Sequence, residues 1–131
     1  MEDCIFCKIG RGEIPSYKIY EDDEHIAFLD IFPTMKGQTL VIPKKHLGPS
    51  VFDIDDESYK KLLLVSKKIA NALFKSMNPI KTGMIAEGLE VEHIHIKLYP
   101  LHTTFGIKRV DPIPEKNEML EIAEKIKSQL S

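Results

Sequence analysis

With 131 residues and a formal net charge of −2, the chain has enough material for one domain with a real core and too little for two. Its 43% hydrophobic and 29% charged residues describe an ordinary globular protein, with no basic run suited to nucleic acid and no apolar stretch near the ~20 residues of a membrane span. Neither nucleic acid nor a membrane is therefore expected as a partner, and without a signal-peptide-like segment a cytoplasmic location is the expectation.

In chain order, Cys4 to Ile9 reads as a short helix ending at Gly10 or Gly12, either of which can take a left-handed cap. Glu13 to Ser16 is a turn. Lys18 to Glu21 and Ile26 to Leu29 are short strands joined by the polar turn Glu21 to Glu24, a hairpin pattern. Thr39 to Ile42 is continuously apolar after Thr39 and belongs in the middle of a sheet. A long helix follows over about Asp56 to Ser76, with Asp55 as N-cap and Ile54 and Tyr59 as a hydrophobic staple. Tyr59, Leu62, Leu63, Ile69, Ala70, Leu73 and Phe74 form its apolar stripe, and the lysines at 60, 61, 67, 68 and 75 a solvated face. Asn78-Pro79 stops it. Gly83 to Ala86 and Val91 to Tyr99 are two further strands. Pro114 opens a last helix with Met119, Ile122, Ala123, Ile126 and Leu130 on one side. The sum is an α+β domain spanning 1–131, with a five-stranded, mainly antiparallel sheet, one long helix packed on it and a C-terminal helix.

Chemistry concentrates in His93-Ile94-His95-Ile96-Lys97. Strand alternation puts Ile94, Ile96 and Leu98 on one face and His93, His95 and Lys97 on the other. A neutral imidazole can ligate metal or attack phosphorus, and a lysine two residues on would stabilise phosphate oxygens and favour the neutral form of His95. The other sulfur and nitrogen donors are the only two cysteines, Cys4 and Cys7, and the histidines at 25, 46, 93, 95 and 102. A CxxC supplies two of the four N/S ligands that zinc needs. A redox role fits poorly, because no strand can precede residue 4, and two buried cysteines without metal is the third reading. His25 is expected in an exposed hairpin turn and His102 in a solvated loop, neither with a role.

The motifs Cys-Ile-Phe-Cys-Lys-Ile (4–9), Gly-Glu-Ile-Pro (12–15), Tyr-Glu-Asp-Asp (20–23), Ala-Phe-Leu-Asp-Ile (27–31), Gly-Gln-Thr-Leu-Val-Ile-Pro-Lys-Lys-His (37–46) and His-Ile-His-Ile-Lys together resemble the histidine triad (HIT) family of nucleotide-binding hydrolases and transferases. The resemblance implies a structural zinc on Cys4, Cys7, His46 and His93, and His95 as the nucleophile that attacks an α-phosphate. It implies Asp30 as acceptor for the ribose hydroxyls, and Ile5, Phe6, Ile9, Phe28, Leu29 and Ile31 as the apolar slot for a purine base. A homodimer paired through its sheets and long helices is also implied.

Two departures stand out. The third histidine of the triad is Lys97, which would serve as the cation at the phosphate, and the loop before the triad is short and carries Glu87, Glu90 and Glu92. Negative charge there disfavours phosphate unless it points away. The expected activity is cleavage of a purine nucleotide phosphoramidate or dinucleoside polyphosphate through a nucleotidyl-His95 intermediate. The alternative is a nucleotide-binding or scaffold protein that keeps the fold and zinc but has lost efficient catalysis.

Overall fold

The computed structural model describes residues 4–103, 106 and 108–130. The elements are α1 (Ile5–Gly10), β1 (Lys18–Glu21), β2 (His25–Leu29), β3 (Thr39–Pro43), α2 (Asp56–Met77), β4 (Lys81–Ile85), β5 (Ile96–Leu101) and α3 (Lys116–Lys127), with a single 3₁₀ turn at Val51–Asp53. The strands form one sheet in the order β1-β2-β3-β5-β4, every neighbouring pair antiparallel. β3 is buried at all its positions, as its unbroken apolar run requires.

The two faces of the sheet carry different layers. Ala27, Val41, Ile96 and Leu98 pack beneath Leu62, Ile69 and Leu73 of α2. Ile26, Phe28, Leu40 and Ile42, offset by one residue along the same strands, pack with Phe6 and Ile9 of α1. Period-two alternation thus gives β2 and β3 a face for each helix. Because Leu40 is the cross-strand partner of Lys97, Lys97 lies on the α1 face, away from α2.

α2 starts at Asp55, whose carboxylate accepts the Ser58 N–H at 3.1 Å, and Asp56 and Glu57 in its first turn suit the positive end of the helix dipole. It ends at Asn78, which takes the left-handed conformation (φ 51°) while donating its N–H to the Phe74 carbonyl. Ser66 completes the buried stripe by donating its hydroxyl to the Leu62 carbonyl at 2.8 Å, whereas Phe74, about 100° around the helix from Leu73, is half exposed. Gly37 turns the chain into β3 with φ +85°, and a Cβ there would come within 3.0 Å of Met77 and 3.1 Å of Pro100. Only glycine meets both demands.

Two expectations change. The strand expected over Val91–Tyr99 begins at Ile96; residues 91–95 lie outside the ladder because the carbonyl of Pro43, at the end of β3, is taken by the His93 ring. β4 starts two residues earlier than Gly83. The C-terminal helix forms, but no α3 residue is buried, and Met119, Ile122, Ile126 and Leu130 are all exposed. No helix among the described residues is long and apolar enough to cross a membrane.

Candidate functional site

The site is assembled on the α1 face from four places in the chain. Cys4 caps α1, its Sγ accepting the Cys7 N–H at 3.3 Å, so a single helical turn brings both sulfurs together. His46 follows the exit from β3, and His93 precedes β5. The four donor atoms of Cys4, Cys7, His46 and His93 lie within 4.8 Å of one another. Individual separations are 3.3 Å from His93 Nδ1 to each sulfur and 3.6 Å from His46 Nδ1 to Cys7 Sγ. Two ligands of a tetrahedral zinc at ordinary bond lengths stand about 3.5 Å apart, so these edges fit a metal-sized centre.

The surrounding groups fit the same centre. His93 is 1% exposed and its Nε2–H donates to the Pro43 carbonyl at 2.6 Å; a carbonyl only accepts, so the lone pair is on Nδ1, facing the sulfurs. Burial, with His46 and His95 nearby, holds His93 below the usual imidazole range despite the opposing pull of the Pro43 bond, which favours the neutral, ligating form. Burial first, and then the neighbouring Cys4, push the Cys7 thiol up. Two thiolates side by side in this setting call for a bound cation. The cysteines, His46 and His93 form a group that can hold a metal.

His95 is 4% exposed and oriented differently. Its Nδ1–H donates to the backbone carbonyl of His93 at 2.8 Å, which places the lone pair on Nε2. The Phe6 ring packs against it nearly perpendicular, with centroids 5.2 Å apart. An imidazole with one nitrogen tied to a carbonyl and the other carrying its lone pair has the form required of a base or nucleophile.

Lys97 is not an isolated cation. Its Nζ lies 2.9 Å from Glu87 Oε1, and Glu87 Oε2 accepts the Leu89 N–H at 2.9 Å. Burial pulls the Lys97 ammonium toward neutrality, but the Glu87 bond and charge outweigh it and its pKa rises. Glu87 is correspondingly held low, by Lys97 first and then the Leu89 N–H. Of the three loop glutamates, then, Glu87 points into the row of side chains and neutralises it.

Asp30, just past β2, has both carboxylate oxygens engaged: Oδ1 accepts from Phe32 N at 2.9 Å and Oδ2 from Gln38 Nε2 at 3.0 Å. Gln38, 3% exposed, is itself fixed by the Thr34 N–H at 2.7 Å and hydroxyl at 2.8 Å. Of the six residues expected to form an apolar slot, Phe6, Ile9 and Phe28 are buried in one cluster, Leu29 is half-buried, and Ile5 and Ile31 are exposed. Ile9 also lines a separate cavity with Ile14, Pro15 and Lys18.

Some participants had weak sequence signals. Gln38 is marked in the sequence only by its place as a polar residue just before β3. The Pro43 carbonyl has no side-chain signature at all. Tyr99 extends the row beyond Lys97 and shares an electrostatic neighbourhood with Lys97, Glu87 and Asp30. His25, expected to be exposed, is buried in β2, where Asp22 accepts from its backbone N–H at 2.7 Å and its Nδ1 at 3.1 Å; it locks the hairpin and takes no part in the metal group. His102 is exposed.

The HIT domain model matches residues 11–104. Adenosine 5'-monophosphoramidase hnt1 of Schizosaccharomyces pombe is 41% identical over 99 residues, 74% of this chain and 73% of that protein. Among solved structures, SMU.412c from Streptococcus mutans UA159 superposes with a TM-score of 0.87 at 36% identity, covering 100% of this chain and 87% of that one. A zinc-bound histidine triad family protein from Mycobacterium smegmatis does so with a TM-score of 0.73 at 29% identity, over 97% of each chain. With residues 11–104 inside the family model and a relative 41% identical over 74% of the chain, the chain belongs to the HIT family.

Proposed function

We propose that this chain cleaves a purine nucleotide phosphoramidate, or a dinucleoside polyphosphate, at the α-phosphate through a nucleotidyl-His95 intermediate. The observation that carries the reading is the hydrogen bond from His95 Nδ1–H to the His93 carbonyl at 2.8 Å, which leaves the Nε2 lone pair for phosphorus. The phosphoramidase activity of the Schizosaccharomyces pombe relative supports the substrate class.

For a phosphoramidate, the Nε2 lone pair forms the N–P bond while the P–N bond to the leaving amine breaks. The amine departs with the bonding pair and takes a proton from the Lys97 ammonium. Water then attacks phosphorus as the His95 Nε2–P bond breaks and its electron pair returns to Nε2; the hydroxyl stays with the nucleotide and the water's other proton returns to Lys97. Asp30 accepts from the ribose hydroxyls, with Gln38 fixing its orientation. Ile5, Leu29 and Ile31 cover the base above Phe6, Ile9 and Phe28.

Cys4, Cys7, His46 and His93 would hold zinc, supported by the donor geometry and the zinc-bound Mycobacterium smegmatis relative. With four protein ligands the ion's contribution is structural, tying α1 to the sheet and fixing the His93 carbonyl that orients His95. A homodimer is part of the proposal: β4 is an edge strand, and exposed Ile80, Met84 and Phe74 offer apolar surface beside it.

The test is intact-mass spectrometry after mixing with an adenosine phosphoramidate. A nucleotidyl adduct lost in His95→Ala is expected; a folded, metal-loaded chain without adduct or turnover would overturn the hydrolase reading. The Lys97–Glu87 ion pair favours one rival, a nucleotide-binding protein with little catalysis. Calorimetric binding of AMP together with no turnover of the adenosine phosphoramidate would support it.

A further inference from the structure

We propose that Glu87 is a specificity-determining residue: its carboxylate, bonded to Lys97 beside His95, steers the site toward nucleotides with an uncharged amine leaving group and against those whose leaving group is a polyphosphate. This rests on the reading of His95 as nucleophile and Lys97 as the group at the leaving atom.

Three observations converge. The Glu87 carboxylate is anchored at both oxygens, Oε1 on Lys97 Nζ at 2.9 Å and Oε2 on the Leu89 N–H at 2.9 Å. The turn that follows is fixed as well, because Gly88 takes φ +64° and a Cβ there would stand 3.3 Å from the Pro49 carbonyl. The pair is also shielded, with Lys97 18% and Glu87 31% exposed at the side chain, so solvent screens it less than a surface pair.

An acceptor oxygen therefore already takes one of the three Lys97 N–H donors for which a substrate oxyanion would compete. A phosphoramidate asks only a proton of that ammonium, and its leaving nitrogen carries no charge to meet Glu87. A dinucleoside polyphosphate brings several negative charges beyond the α-phosphorus and must displace the carboxylate or face it. One pair of like charges roughly 12 Å apart, at an effective dielectric of about 20, gives about a tenfold preference. Glu90, which also acts on Lys97, adds charge of the same sign.

Glu87→Gln removes the charge and nearly keeps the shape: its one amide oxygen can still accept from Lys97, while the Leu89 N–H loses its acceptor. The expected result is a rise of about tenfold in kcat/KM for diadenosine tetraphosphate relative to an adenosine phosphoramidate, and in a Lys97→Gln background Glu87→Gln should no longer change that ratio. An unchanged ratio with phosphoramidate turnover intact, or a gain that survives loss of Lys97, would overturn the proposal while leaving the hydrolase reading standing. Calorimetry with ATP and AMP gives the same comparison without turnover. Glu87→Gln should tighten ATP about tenfold more than AMP; equal effects on the two nucleotides overturn the proposal even for a chain that does not hydrolyse.

Discussion

His95 donates its Nδ1–H to the backbone carbonyl of His93, whose own ring faces the cysteines. The residue that carries the cysteine-facing imidazole thus supplies the peptide oxygen that sets the tautomer of the next histidine. Replacing His95 with Ala should lower kcat/KM for an adenosine phosphoramidate by roughly 10⁴-fold or more, as expected for loss of a nucleophile, while AMP still binds because Asp30 and the apolar slot are untouched. Steady-state kinetics beside calorimetry separates the two effects. A variant keeping a tenth of the parent rate would assign the chemistry elsewhere.

The same relationship predicts that metal loss reaches catalysis indirectly. Cys4→Ser removes a donor of the four-residue group and the acceptor of the Cys7 N–H. A melting temperature lower by roughly 10 °C or more is expected, since binding energy of a structural metal is folding energy. Bound zinc by elemental analysis should fall from about one per chain to a small fraction of that. Treatment of the parent chain with a strong chelator should reproduce both changes and lower kcat. Equal melting curves for parent and Cys4→Ser would contradict a structural metal.

How far these groups were legible depends on where the information lies. Period-two alternation assigned Ile96 and Leu98 to one face and Lys97 to the other without any structure, because strand geometry admits little else. The stripe of α2 was legible for Leu62, Ile69 and Leu73 by the same kind of argument. The start of β5 was not: His93 and His95 alternate like a strand, but their hydrogen bonds go from ring nitrogens to carbonyls, and periodicity does not distinguish these from a ladder. The burial of His25 depended on Asp22 folding back to meet it, and the occupation of Lys97 by Glu87 on a turn ten residues away. α3 shows the opposite limit. Its apolar side was legible, but a helical period does not say what lies against it, and none of its residues is buried.

Asp30 and Gln38 make a prediction about sugar recognition. With Oδ1 and Oδ2 each holding one donor, the carboxylate retains lone pairs for two ribose hydroxyls. Asp30→Ala should weaken AMP binding by about 10- to 100-fold, the range for hydrogen bonds to a charged group, and should leave 2',3'-dideoxy-AMP nearly unaffected. Gln38→Leu should weaken AMP less, with the same bias toward the hydroxyls, because it loosens the carboxylate without removing it. Isothermal titration with both nucleotides is the measurement. Equal losses for AMP and the dideoxy compound would mean that Asp30 acts on the fold and not on the ribose.

Asp22 sets the acid limb of stability. Burial alone would raise its carboxyl pKa, but the bonds it accepts from the Glu24 N–H at 2.8 Å, the Tyr20 hydroxyl at 2.9 Å and His25 hold it at about 2. An unfolded aspartate titrates near ~3.9, so between these values the unfolded chain binds the extra proton. Stability from Asp22 is therefore complete above about pH 4 and is lost as pH falls toward 2. Because its side chain is about one-third exposed, the effect is screened and modest. Glu21, held at about 2 by Lys18 and Lys44, acts over the same window from the neighbouring position. Urea midpoints measured from pH 2.5 to 5 should fall on acidification, less steeply in Asp22→Asn and least in the double variant with Glu21→Gln. At pH 5 Asp22→Asn should be less stable than the parent, because the amide accepts fewer of the three kinds of donor, and the two curves should converge toward pH 2.5. Parallel curves across the whole range would show that the hairpin lock draws nothing from the charge of Asp22.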